Sequence, residues 1–208
     1  MESSRAAEEK DLDPRVRRTR KMLQDALASL LRKKEFGEIS IGDIAEESTL
    51  NRATFYDHYP DKFALLECLV ASQFQELIVQ QSICFDGCAG ALRKIATGVC
   101  HYLAETMKPG SDGLWRAGAP MDTAIVSVIR QLILEGFAKH PPKTGVPVEL
   151  VASAIAWAIY GAAKEWVLSP KRISVVRIGE MIEKVVAPIL TVLAQEPTAR
   201  TGLNPPQT

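Results

Sequence analysis

Between Asn51 and Lys62 the sequence sets out side chains that suit the edges and backbone of a nucleic acid: Asn51, Arg52, Thr54, Tyr56, His58 and Lys62. Arginine addresses guanine edges, asparagine matches adenine edges, and threonine offers a hydroxyl or a methyl. Tyr56, His58 and Lys62 carry donors suited to phosphate oxygens, contacts that fix register rather than sequence. Lys62 also adds charge near the start of a helix, where the backbone already favours anions. The interleaved Phe55 and Tyr59 are read as core aromatics. Asp57 would repel phosphate and is expected to face solvent or a nearby base.

Short helices must hold these groups. Ser40 is a good N-cap with Asp43 three residues on, a variant of the capping box. Ile41, Ile44 and Ala45 supply that helix with a buried face. Thr49-Leu50 makes a turn, and Asn51 caps a third helix running to about Tyr59. Ahead of them, from Pro14, Leu23, Leu27, Leu30 and Leu31 fall on one face of a first helix, which Phe36-Gly37 is expected to end. Pro60-Asp61 restarts the chain into a long fourth helix, with Phe63, Leu66, Val70 and Leu77 at helical spacing. Charge supports the same reading. From Pro14 to Lys34 eight basic side chains (Arg15, Arg17, Arg18, Arg20, Lys21, Arg32, Lys33, Lys34) stand against one acid, Asp25, in a chain whose 25 basic and 25 acidic residues cancel. Such a local field attracts phosphates and makes binding salt-dependent.

The segment from Ile41 to Lys62, IGDIAEESTLNRATFYDHYPDK, resembles the DNA-binding domain of the TetR family of transcriptional regulators. The likeness covers roughly residues 15 to 70. Its most specific piece is the aromatic-rich stretch Thr54 to Tyr59 with Lys62 behind it. The resemblance places Thr54 on the base-reading helix, gives Tyr56, His58 and Lys62 to the backbone, and brings the start of helix one, near Thr19 and Arg20, against phosphates. In one departure, Thr49 stands where the family usually has glycine. A β-branched residue disfavours positive φ, so the turn is expected to be opened or reshaped. Asn51 replaces the family's capping serine.

Other chemistry finds little support. There is no GxSxG, HExxH, phosphate loop or dinucleotide glycine run, so no enzymatic activity is expected. Cys84, Cys88, Cys100 and His101 lack the spacing of a zinc ribbon or finger, and no metal or other cofactor is expected. Four cysteines in 208 residues are no disulfide framework. No stretch approaches about 18 uninterrupted apolar residues and the polar N-terminus is no secretory signal, so a cytoplasmic protein is expected, without membrane partners.

Beyond Gly90 the pattern stays helical, near residues 90–107, 121–139, 148–168 and 174–194, with turn residues between. No strand alternation appears, and the fold is expected to be all-α: an N-terminal three-helix helix-turn-helix domain (14–60) and a C-terminal helical effector and dimerisation domain (61–195), between disordered tails at 1–13 and 196–208. The last two helices are apolar over much of their circumference, and Pro188 is expected to kink the second. The resemblance implies a homodimer built through them and a near-palindromic duplex DNA target. Tyr102, Trp115, Phe137 and Trp157 are side chains that either fill the core or line a cavity for a small-molecule effector. The expected function is a repressor released by such an effector. The alternatives are an activator or effector-independent regulator of the same fold, and an architectural protein binding DNA without sequence choice.

Overall fold

The computed structural model describes residues 13–80, 90–108, 113–142 and 145–193, and all regular structure in them is helical. The tails expected at 1–13 and 196–208 lie outside the described residues, apart from Asp13. That residue caps α1 (Pro14–Leu31): its carboxylate accepts the Arg15 N–H at 2.8 Å, and Pro14 fills a first-turn position that needs no donor. Leu23, Leu27, Leu30 and Leu31 are buried on one face, as their spacing requires. The helix stops earlier than Phe36-Gly37. The Lys33 and Lys34 amides both turn back to the Leu30 carbonyl, and Phe36 is buried from a separate 3-10 turn, Phe36–Glu38.

The next two helices form as their caps predict. In α2 (Ile41–Glu47) the Ser40 hydroxyl accepts the Asp43 N–H while the Asp43 carboxylate accepts the Ser40 N–H at 2.7 Å. In α3 (Arg52–His58) the Asn51 side chain accepts the Thr54 N–H at 2.7 Å. Between them the turn is not reshaped as expected. Thr49 sits at φ 57° in the left-handed region. The Leu50 amide reaches the Ala45 carbonyl and the Thr49 amide the Glu46 carbonyl, the paired bonds of a Schellman cap. The Thr49 hydroxyl also donates to the Ser48 carbonyl at 2.7 Å.

Asp61 accepts the amides of Phe63 and Ala64 and starts α4 (Lys62–Gln80). Leu65, Leu66, Leu69, Val70 and Phe74 bury its inner face. Phe63, expected on that face, is instead 55% exposed and lies edge-on to Phe36. Then come α5 (Ala91–Thr106), a 3-10 turn Leu114–Ala117 with no counterpart in the sequence reading, α6 (Ala119–Lys139), α7 (Val148–Leu168) and α8 (Val175–Leu193). That 3-10 turn lies on the end of α1. A Cβ at Gly113, whose φ is 80°, would stand 2.5 Å from the Leu31 carbonyl oxygen, so only glycine permits the approach. α5 packs against α7 and α8, and α6 against α4 and α7. Ile95, Val99, Leu103, Ile125, Ile129, Ile155, Ile159, Ile182 and Val186 fill the space between them. Each such side chain contributes roughly 1.5–3 kcal/mol by leaving water. α8 continues through Pro188.

Candidate nucleic-acid interface

The helix α3 is anchored from below. Phe55 is fully buried and Tyr59 is 3% exposed, so both aromatics are core, as expected. The buried Gln24 of α1 donates to the Tyr59 hydroxyl at 3.4 Å and accepts from Ser72 of α4 at 3.1 Å. One amide thus ties three elements together inside an apolar contact, where it makes geometry more than stability. Sequence reasoning missed Gln24; the signal was a polar residue inside the Leu23–Leu27 stripe.

With Phe55 and Tyr59 turned inward, α3 presents Arg52, Ala53, Tyr56 and Asp57 to solvent. Tyr56 is 57% exposed, its ring edge-on to Phe55. At 1.5 Å per residue this seven-residue helix is about 10 Å long, a length the major groove of B-DNA accepts. Two assigned residues do other work. The Asn51 side-chain oxygen accepts both the Thr54 amide and, at 3.0 Å, the Thr54 hydroxyl. Bidentate pairing with adenine needs that oxygen, so it would break the cap. Asn51 thus makes the cap expected of it at the start of α3.

Lys62 has partners within the protein. Its ammonium donates to the carbonyls of Phe36 at 2.8 Å, Ile39 at 2.7 Å and Gly37 at 3.3 Å, and lies 4.7 Å from the centre of the Phe36 ring. A lysine has three N–H donors, and all three are directed at protein carbonyls. Lys62 thereby clamps the 3-10 turn ahead of α2.

The cationic stretch divides in the same way. Lys21 pairs with Asp25, Lys33 with Glu47 and Lys34 with Asp43. Glu47 also accepts from Ser29, a bond that, with Lys33, holds its carboxyl below the usual range. Arg15, Arg17 and Arg18 are exposed and, among the described residues, have no carboxylate partner. The positive excess therefore concentrates at the first two turns of α1. Thr19 donates to the Arg15 carbonyl at 3.0 Å. Arg20 lies 5.8 Å from the centre of the Tyr59 ring, and its buried Nε has no hydrogen-bond partner among the described residues. Next to it, burial and the Arg20 charge hold His58 below its usual pKa, against a smaller opposite pull from Asp57.

The four aromatics offered as core or as cavity lining differ in exposure. Trp115 and Trp157 are 49% and 52% exposed, whereas a side chain lining an enclosed cavity is buried. Tyr102 is buried and donates to Gln73 at 3.1 Å, and Phe137 is half-buried. Cys100 is buried, which pushes its thiol up to about 12. Cys84 and Cys88 lie outside the described residues. Among the described residues no three potential ligands gather around a point, and no helix is long and apolar enough to cross a membrane.

Residues 23–69 match the family described as bacterial regulatory proteins, tetR family. The chain is similar to YxbF, an uncharacterised HTH-type transcriptional regulator of Bacillus subtilis (strain 168), with 44% identity over 71 residues. The match covers 34% of this chain, and the chain spans only 19% of that relative's length. Among solved structures it is similar to a TetR transcriptional regulator from Rhodococcus sp. RHA1, at 15% identity, with TM-score 0.54 and coverage of 86% of this chain and 100% of that one. A TetR transcriptional regulator from Streptococcus agalactiae 2603V aligns with TM-score 0.50 at 17% identity, over 83% of this chain and 95% of that one. At such identities the likeness is one of fold.

Proposed function

We propose that this chain is a member of the tetR family of bacterial regulatory proteins, whose model matches residues 23–69, and that it is a cytoplasmic, homodimeric repressor that grips a near-palindromic operator through α1 and α3. The observation that carries this reading is the division of labour in the N-terminal helices. Phe55, Tyr59 and Gln24 lock α3 from behind, and Arg52 and Tyr56 are exposed on its outer face. Arg15, Arg17 and Arg18, which have no carboxylate partner among the described residues, supply charge for the phosphate backbone. Arg52 is the base-reading group, aimed at guanine. Thr19, Arg20, Tyr56 and His58 hold the backbone, and Thr54 offers its methyl.

The dimer is supported by the outer faces of the last two helices. On α7, Leu150, Trp157 and Leu168 recur at seven and eleven residues, which puts them on one line, and all three are at least half exposed. Met181 and Val185 extend exposed apolar surface onto α8. A patch of this kind marks an association surface. A two-fold pair through it carries two recognition helices to half-sites about one DNA turn or more apart. In this reading residues 14–60 bind DNA and residues 61–195 pair and respond to a small-molecule effector. The repressing role and the effector rest on the family.

Selection of bound duplexes from a random library tests the proposal. The expected product is a two-fold-related pair of half-sites carrying two protomers, bound far more tightly than random duplex. Equal affinity for selected and random DNA would instead indicate an architectural protein.

A further inference from the structure

We propose that Gly42 is a positioning residue for Arg52, so that α2 and α3 present one shared base-reading group. The inference rests on the reading of Arg52 as the residue that meets the base edges. Gly42 is the second residue of α2, and Arg52 is the first of α3. A Cβ built on Gly42 would stand 2.4 Å from Nη2 of Arg52, 3.2 Å from Cζ and 3.3 Å from Nε. Three atoms of one guanidinium within that distance of one point place its Nε/Nη2 edge in the space a side chain at position 42 would fill. Any other residue there displaces the arginine. Gly42 has no left-handed φ to explain it, and glycine is a poor helix former. What glycine supplies at this position is room.

The consequence is one of orientation. An extended arginine at the end of a short exposed helix samples many rotamers. Seated by that edge in the space over Gly42, this one has its orientation set before DNA arrives, and planar two-donor recognition of guanine depends on that orientation. Nothing in the fold requires the contact. The other side of it is the far end of a flexible side chain, which can swing into solvent, and alanine favours the helix more than glycine does.

Gly42→Ala is therefore expected to fold and to melt no lower than the wild type, which circular dichroism reads. Affinities are measured on the duplex selected by the wild type and on its set of single-base substitutions. Arg52→Ala should flatten the preference at one base pair of each half-site. Gly42→Ala should lower discrimination at that same base pair about tenfold, with affinity for random duplex unchanged. In the Arg52→Ala background, Gly42→Ala should do nothing further. Unaltered or improved discrimination in Gly42→Ala overturns the inference, as does an equal effect in both backgrounds. Arg52→Ala with wild-type discrimination removes the premise itself, an outcome distinct from the other two.

Discussion

Thr49 shows what a single residue can be made to do. Its left-handed conformation costs a non-glycine residue roughly 1–2 kcal/mol. The two amide bonds of the Schellman cap, and the bond from its own hydroxyl, hold it there. Thr49→Gly should relieve that cost while adding freedom to the unfolded chain, for a net gain of about 0.5–1 kcal/mol. A calorimetric melt should rise by about 2 °C, and a fall would contradict the assignment of strain. Lys62 predicts the opposite sign. Removing a charged donor from three carbonyls, as in Lys62→Met, should cost about 1.5–3 kcal/mol. If Lys62→Met left the melting temperature untouched and weakened only DNA binding, the clamp would be wrong and the phosphate role right. His58 carries a pH dependence. Its depressed pKa means that the folded protein prefers the neutral ring, so this contribution to stability is complete above pH 6.5 and is lost as pH falls through the folded value. In the proposed complex a DNA phosphate beside Arg20 and His58 favours the cation instead. Operator binding should then take up a proton and tighten as pH falls from 7.5 towards 6. Fluorescence anisotropy titrations should show that trend in the wild type and a flatter one in His58→Gln.

At the scale of elements, the caps and the close approaches set the geometry. Asp43 is held down to about 2 by the Ser40 amide and hydroxyl, with Lys34 adding to them, so the box at the start of α2 stays charged and closed at any ordinary pH. The pairing of α5 with α8 depends on Gly179. A Cβ there would fall 2.3 Å from the Thr97 hydroxyl, and threonine is stiff about χ1. Gly179→Ala should therefore cost about 1–3 kcal/mol in a denaturant titration, and adding Thr97→Ala should recover most of it. Purely additive losses in the double variant would show that the two helices do not meet at this point.

For the whole molecule the exposed line on α7 is the decisive feature. Trp157 is half exposed and contacts Tyr160 edge-on. Trp157→Glu should leave the protomer folded, yet sedimentation velocity should shift it from dimer to monomer at micromolar concentration. Under the proposed function operator affinity should fall with it, each protomer's α3 then reading one half-site. A dimer that survives this charge would place the pairing surface elsewhere.

Local signals in the sequence determined the first half of the site. Ser40, Asp43 and Asn51 each bond to atoms three residues away, and the Leu23 to Leu31 stripe needs only helical period, so both were legible without a fold. The all-helical class and the last three helices follow from the same short-range logic. Tertiary structure decided whatever depends on a partner distant in the chain. Lys62 meets carbonyls more than twenty residues earlier, Gln24 bridges to Tyr59 and Ser72, and Arg52 lies on Gly42. Trp115 and Trp157, candidates by residue type for a cavity, proved to be surface side chains. Residue type names what a side chain is able to touch, and only packing decides what stands within its reach.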